Sequence, residues 1–122
     1  MIFFGIGTDI VEVERIEKSI NRTEKFLEKV FTKREVDYCN SKPNRYERYA
    51  GRFCAKEAVS KALGTGIRNF KLTDMEILND ELGKPIIYFN GQLGNLEKEY
   101  EIHLSISHCK DYATATAIIF KK

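Results

Sequence analysis

Four stretches of this sequence hold residues that could do chemistry. The first is GTDIVEVERI, in which Asp9 closes an apolar run. A buried carboxylate is costly unless it is partnered, so Asp9 calls for a cation, a helix cap or a metal ion. The second is RFCAKEAVSKALGTG, residues 52–66. Glu57 and Lys61 stand four apart, so a helix makes them neighbours, with Lys56 just before the acid. An exposed pair of this kind contributes little. The small residues Ala55, Ala58 and Ala62 around Glu57 suggest a packed helix instead. Lys61 also lies one turn before Gly64, Thr65 and Gly66, where backbone N–H groups can approach an anion closely.

The third stretch is HLSISHCKDYATATAI, residues 103–118. On a strand, Leu104, Ile106 and His108 share one face, and Ser105 and Ser107 share the other. A lone histidine serves structure as readily as chemistry. Cys109 would point away from His108 on a continuing strand, which makes a poor nucleophilic dyad. No nucleophile-elbow sequence accompanies either serine. The fourth stretch runs from Arg15 to Lys29. On one helix at ~100° per residue, Arg15, Lys18, Arg22, Lys25 and Lys29 fall within about 80°. Apolar Val13, Ile16, Ile20 and Leu27 occupy a second arc and Glu14, Glu17, Glu24 and Glu28 a third. Phe26 borders the basic arc, where it could serve as an exposed anchor.

These residues need elements to hold them. Ile2–Val11 is apolar and β-rich, and reads as a largely buried strand. Helical patterning runs from Glu12 to Val30. Thr32 and Glu35 form a capping-box signal for a short helix through Cys39. Pro43 and Asn44 mark a turn, and Tyr46–Leu63 reads as a central helix ended by Gly64 and Gly66. Strands follow over Leu72–Leu78 and Pro85–Phe89, turning around Gly83. Gly91–Glu99 suits a short helix. Glu101–Ser107 and Tyr112–Phe120 read as two strands joined near Lys110 and Asp111. Helices and strands mix without regular βα alternation. The expected class is α+β, a single small domain over 1–122, with a mainly antiparallel sheet wrapped on a long central helix.

The bulk composition sets limits. A chain of 122 residues, 43% hydrophobic and 31% charged, can build one modest core. An uncovered sheet face could then invite oligomerisation. A net charge of +2 excludes a polycation, so any anion site must arise from local clustering. No apolar run has the length of a membrane span, and the N-terminus reads as a strand rather than a signal peptide. Cys39, Cys54 and Cys109 form no CxxC pair. That pattern argues against structural zinc and suggests reduced thiols in a cytoplasm. The alternative to an enzyme is a non-enzymatic module that binds an anion or nucleic acid through the Arg15–Lys29 face.

Taken in order, GTDIVEVERI, AGRFCAKEAVSKALGTGI, LGKP and LSISHCKDYATATA resemble the bacterial holo-acyl-carrier-protein synthases, a family of 4′-phosphopantetheinyl transferases. The resemblance spans essentially the whole chain. Cys54 departs from it, since such proteins usually carry alanine there. The resemblance implies transfer of 4′-phosphopantetheine from coenzyme A to a serine of apo acyl carrier protein, in support of fatty acid biosynthesis. It implies Asp9 and Glu57 as Mg²⁺ ligands, a homotrimer with sites between subunits, and carrier docking on the first long helix. On that reading the serine attacks the β-phosphate, 3′,5′-ADP leaves, and Lys61 joins Asp9 and Glu57 in catalysis. Coenzyme A contacts are expected from Arg52, Lys61, Gly64, Thr65, Gly66, Pro85 and His108, with Arg45 and Arg48 as further candidates. Carrier contacts are expected from Arg15, Lys18, Arg22, Lys25, Phe26 and Lys29. Neither nucleic acid nor membrane is an expected partner.

Overall fold

Helix α4, Arg45–Leu63, carries buried Ala50, Gly51, Ala55, Ala58 and Ala62 along its length, so a sheet can approach it closely. The computed structural model, which describes residues 1–64 and 69–122, packs an antiparallel sheet on that small-residue surface. Its strands are β1 (Ile2–Glu12), β5 (Tyr112–Lys121) and β4 (Tyr100–His108), in the order β1-β5-β4. Along β5, Ala113, Ala115, Ala117 and Ile119 turn inward. Along β1 the inward set includes Gly5, Gly7 and Val11. A Cβ at Gly7 would collide with the Ala58 carbonyl, and one at Gly5 with the Ala62 carbonyl. This strand therefore touches the helix backbone itself.

The closeness overturns the expectation of a largely buried first strand. Because side chains alternate, placing the glycines inward turns Ile6 and Ile10 outward, where they are 60% and 67% exposed. Ile6 lies opposite Ile118, Ile10 opposite Thr114 and Glu12 opposite Tyr112, while Phe3 meets the ring of Phe120. The outer face of the sheet is thus apolar over much of its area and uncovered.

The helical stretch after β1 is divided. Helix α1 covers Val13–Arg22 and α2 covers Glu24–Val30, with Thr23 extended between them. The Thr23 hydroxyl accepts from Lys25 N at 3.2 Å and starts α2 afresh. Helix α3, Lys33–Asn40, has the expected capping box between Thr32 and Glu35. A 3₁₀ turn at Leu72–Asp74 replaces the start of the expected strand, which begins at Met75. Strands β2 (Met75–Asn79) and β3 (Pro85–Phe89) form a separate hairpin. Its turn is held by Asp80, whose carboxylate accepts from Leu82 N and Lys84 N at 2.9 Å each. The expected helix at Gly91–Glu99 is a 3₁₀ turn, Gly91–Leu93, followed by one turn of helix α5, Leu96–Glu99. Among the described residues no helix is long and apolar enough to cross a membrane.

Candidate active site

Register and helical spacing bring Asp9, Glu57 and Lys61 together. Asp9 leaves β1 on the face that looks at α4, opposite Ala115 of β5. Its backbone carbonyl accepts from Thr114 Oγ1 at 2.8 Å. Lys61 reaches across from the last turn of α4. Its ammonium donates to Asp9 Oδ1 at 3.2 Å and to Thr8 O at 2.9 Å. Lys61 therefore bridges helix and strand through Asp9. Burial, then the charge of Asp9, raises the pKa of Glu57, and Lys61 opposes the rise. Cys54, three residues before Glu57, is also close to Asp9. Burial pushes its thiol up to about 12, helped by the charge of Asp9. At 3.3 Å from Ala113 O, it stays a neutral thiol in the packing.

Two facing acids, one of them with its proton affinity raised by the charge of the other, ask for a positive ion between them. Their hard oxygens suit Mg²⁺. Among the described residues no three acidic, histidine or cysteine side chains have the arrangement of a metal shell. An ion held by Asp9 and Glu57 therefore leaves most of its positions to substrate oxygens and water.

His108 lies elsewhere. At the end of β4 it faces Glu47 in the first turn of α4, with Nδ1 2.9 Å from Oε1. Glu47 precedes Glu57 by ten residues, about 15 Å along a helix. His108, Arg48, Arg52, Asn79, Pro85 and Ile106 surround a cavity of about 150 Å³. Arg52 is only 4% exposed. Its Nε donates to Ile77 O at 3.0 Å, its Nη2 donates to Asn79 Oδ1 at 2.5 Å, and its guanidinium lies over the Tyr38 ring. It lines the cavity as a cationic wall with much of its donor set already used. Arg48 donates to Asn44 Oδ1 and the Tyr38 hydroxyl. Arg45 stacks on Tyr46 and donates to its hydroxyl.

Gly64 caps α4, and its N–H turns back to the Ser60 and Lys61 carbonyls at 3.2 Å each. That N–H is already engaged within the helix end. Thr65 and Gly66 lie outside the described residues.

The basic residues are distributed over both short helices. Arg15, Lys18 and Arg22 are exposed on α1, with Lys18 paired to Glu14 at 3.0 Å. Lys25 and Lys29 are exposed on α2. With Lys71 they border a groove of about 740 Å³ that includes apolar Val30, Phe70 and Leu72. Phe26 is not the exposed anchor expected. It is half-buried, packed between Phe31 and Phe53 with ring centroids 6.4 and 6.2 Å away.

Sequence reasoning missed two long-range contacts. Lys56 is fully buried, donating to Glu35 Oε1 at 2.6 Å and to Val30 O at 2.5 Å. Glu35 also accepts from Thr32 N at 2.8 Å and, through Oε2, from Ile77 N at 2.8 Å. The capping box flagged Glu35 for a local contact only. Nothing in the local pattern flags the other, between Glu47 and His108, 61 residues apart.

Residues 5–117 match the ACPS family of the 4′-phosphopantetheinyl transferase superfamily. The chain is similar to a holo-[acyl-carrier-protein] synthase of Fusobacterium nucleatum, 52% identical over 97% of this chain and 99% of that one. Its fold is similar to a holo-(acyl-carrier-protein) synthase of Bacillus anthracis in complex with CoA (3′,5′-ADP). There the TM-score is 0.81 at 39% identity, covering 100% of this chain and 99% of the other. The corresponding synthase of Neisseria meningitidis gives a TM-score of 0.87 at 31% identity, covering 98% and 100%. On a match spanning nearly its whole length, the chain belongs to the 4′-phosphopantetheinyl transferase superfamily.

Proposed function

We propose that this chain is a holo-acyl-carrier-protein synthase. It transfers 4′-phosphopantetheine from coenzyme A to a serine of apo acyl carrier protein, releases 3′,5′-ADP and so supports fatty acid biosynthesis. Residues 1–122 act as one transferase domain. The observation that carries the reading is the meeting of Asp9, Glu57 and Lys61 from two separate elements, two hard acids and one mobile cation. Its relatives' names and the family match point to the same reaction.

Asp9 and Glu57 would hold Mg²⁺, which when bound offsets negative charge on the pyrophosphate oxygens. Lys61 is 55% exposed at its side chain, on a long flexible stem. Its ammonium can leave Asp9 for a phosphoryl oxygen as charge grows there. His108, Arg48 and Arg52 offer cationic walls for the coenzyme's phosphates. The exposed Arg15, Lys18, Arg22, Lys25 and Lys29 offer a positive surface to an acidic carrier, and Phe26 supports that surface from beneath.

The Glu47 end of the His108 cavity stands about 15 Å along α4 from Glu57, far for one coenzyme pyrophosphate to meet both. A site shared between neighbouring subunits of a homotrimer removes that difficulty, and the uncovered apolar sheet face supports such an assembly. The same reading puts the protein in the cytoplasm, where exposed thiols such as Cys109 stay reduced. Incubation with coenzyme A, Mg²⁺ and an apo carrier protein tests the reaction. The carrier should gain the mass of the phosphopantetheine arm. An unmodified carrier in the presence of well-folded protein would overturn the assignment.

A further inference from the structure

We infer that Glu47 is a positioning residue that makes coenzyme binding at His108 proton-linked. The inference rests on the proposal that this cavity takes the coenzyme's phosphates. His108 and Glu47 are each 24% exposed at their side chains, and Nδ1 stands 2.9 Å from Oε1. A carboxylate can only accept, so Nδ1 carries the proton in this contact. In a neutral imidazole that leaves Nε2 as a bare acceptor, which repels a phosphate oxygen. For Nε2 to donate to phosphate, His108 must be imidazolium, with a proton on each nitrogen. Glu47, an acceptor 2.9 Å from Nδ1, fixes which ring nitrogen holds the first proton.

The surroundings show why an arrangement of this kind matters. On α4, Arg48 and Arg52 line the same cavity as His108. Both carry fixed positive charge. The hairpin residues lining the cavity, Asn79, Gly83 and Pro85, are uncharged, as is Ile106 of β4. Ala113 pairs with His108 from β5. Cys109, Lys110 and Asp111 follow in the turn. Among the described residues, Glu47 is the side chain found in hydrogen-bond contact with the His108 ring. Binding a dianionic phosphate then draws one proton onto the imidazole, and Glu47 sets the orientation in which that proton is required.

Titration calorimetry of the full-length protein with coenzyme A tests this. Runs at one pH above ~7.5, in two buffers of different ionisation enthalpy, count the protons taken up. At that pH neither imidazole (~6.5) nor a phosphate monoester (~6) is mostly protonated in free solution. The wild type should take up on the order of one proton per coenzyme bound. His108→Asn should weaken binding and remove the uptake. Glu47→Gln can donate its amide N–H to Nδ1, which leaves a neutral ring with Nε2–H aimed at phosphate. It should bind coenzyme with uptake reduced toward the His108→Asn level, while the carrier KM stays unchanged. Wild-type uptake in Glu47→Gln, with uptake lost in His108→Asn, would overturn the role of Glu47 and leave the cavity assignment standing. Unchanged affinity in His108→Asn would overturn the cavity assignment and this inference with it. The nitrogen-15 spectrum of the His108 ring in the wild type gives a check free of any Glu47 variant: a neutral Nε2–H tautomer in the free protein would refute the inference.

Discussion

Glu57 works against the fold until a cation arrives. Its pKa in the fold stands above the ordinary glutamate value because of burial and the facing Asp9. The folded chain thus binds that proton more tightly than the unfolded chain does. Stability linked to Glu57 is full below the ordinary carboxylate range and falls as pH climbs through the raised value. At neutral pH, Glu57→Gln should therefore raise the melting temperature of the metal-free protein while abolishing transfer. Mg²⁺ at about a hundred times its Kd should stabilise the wild type by ~2.7 kcal/mol and leave Glu57→Gln and Asp9→Ala unmoved. Calorimetric melting with and without Mg²⁺ checks both halves. Equal Mg²⁺ stabilisation of all three proteins would remove these two acids from the metal site. A stability gain accompanied by lost function is the usual mark of groups placed for a ligand rather than for packing.

Elements, rather than single residues, decide how docking and chemistry communicate. Lys56 and Glu35 lock the end of α2, the start of α3, strand β2 and α4 into one buried clasp. Lys56→Met leaves the Glu35 carboxylate buried without its cation, at a cost of ~3–5 kcal/mol by urea unfolding. A cost below ~1 kcal/mol would mean that the clasp is hydrated in solution. The exposed face of α1 makes a different prediction. Reversing Arg15 and Arg22 to Glu should raise the carrier KM at least tenfold, ~1.4 kcal/mol, with coenzyme affinity unchanged. High salt should shrink the wild-type advantage. Equal losses for both ligands would reject α1 as the docking element. Much of this framework was legible in the sequence where the signal is local. Periodicity located α4 to within a residue at its start, and Thr32 with Glu35 marked the entry to α3. Where tertiary contact decides, local pattern gave no warning. The hydroxyl of Thr23 restarts a helix that charge sorting alone would run through. The apolar run of β1 read as a buried strand, with no sign that its glycine side would meet a helix backbone and turn the other side outward. Arg52 and Lys56 find their partners at Ile77 and Glu35, 25 and 21 residues away, which spacing cannot reveal.

At the scale of the whole molecule, the uncovered sheet face and the proposed sharing of the site between subunits share one test. A homotrimer of 14.1 kDa chains should sediment near ~42 kDa. Placing Glu at both Ile6 and Ile10 puts unpaired charge on the apolar outer face and should yield a folded monomer with little transferase activity. A fully active monomer would refute the shared site. The ten residues of α4 between Glu47, which meets His108, and Glu57, which faces Asp9, also have a consequence for mixtures. Asp9→Ala chains retain an intact phosphate cavity, and His108→Ala chains retain intact acids. Each variant alone is impaired at every site. Unfolded together in equal amounts and refolded, they exchange partners at random. In a cyclic trimer about one quarter of the sites then draw their acids from a His108→Ala chain and their cavity from an Asp9→Ala chain. Two crippled enzymes should thereby restore each other, and the recovered fraction reports directly which subunit lends what to its neighbour.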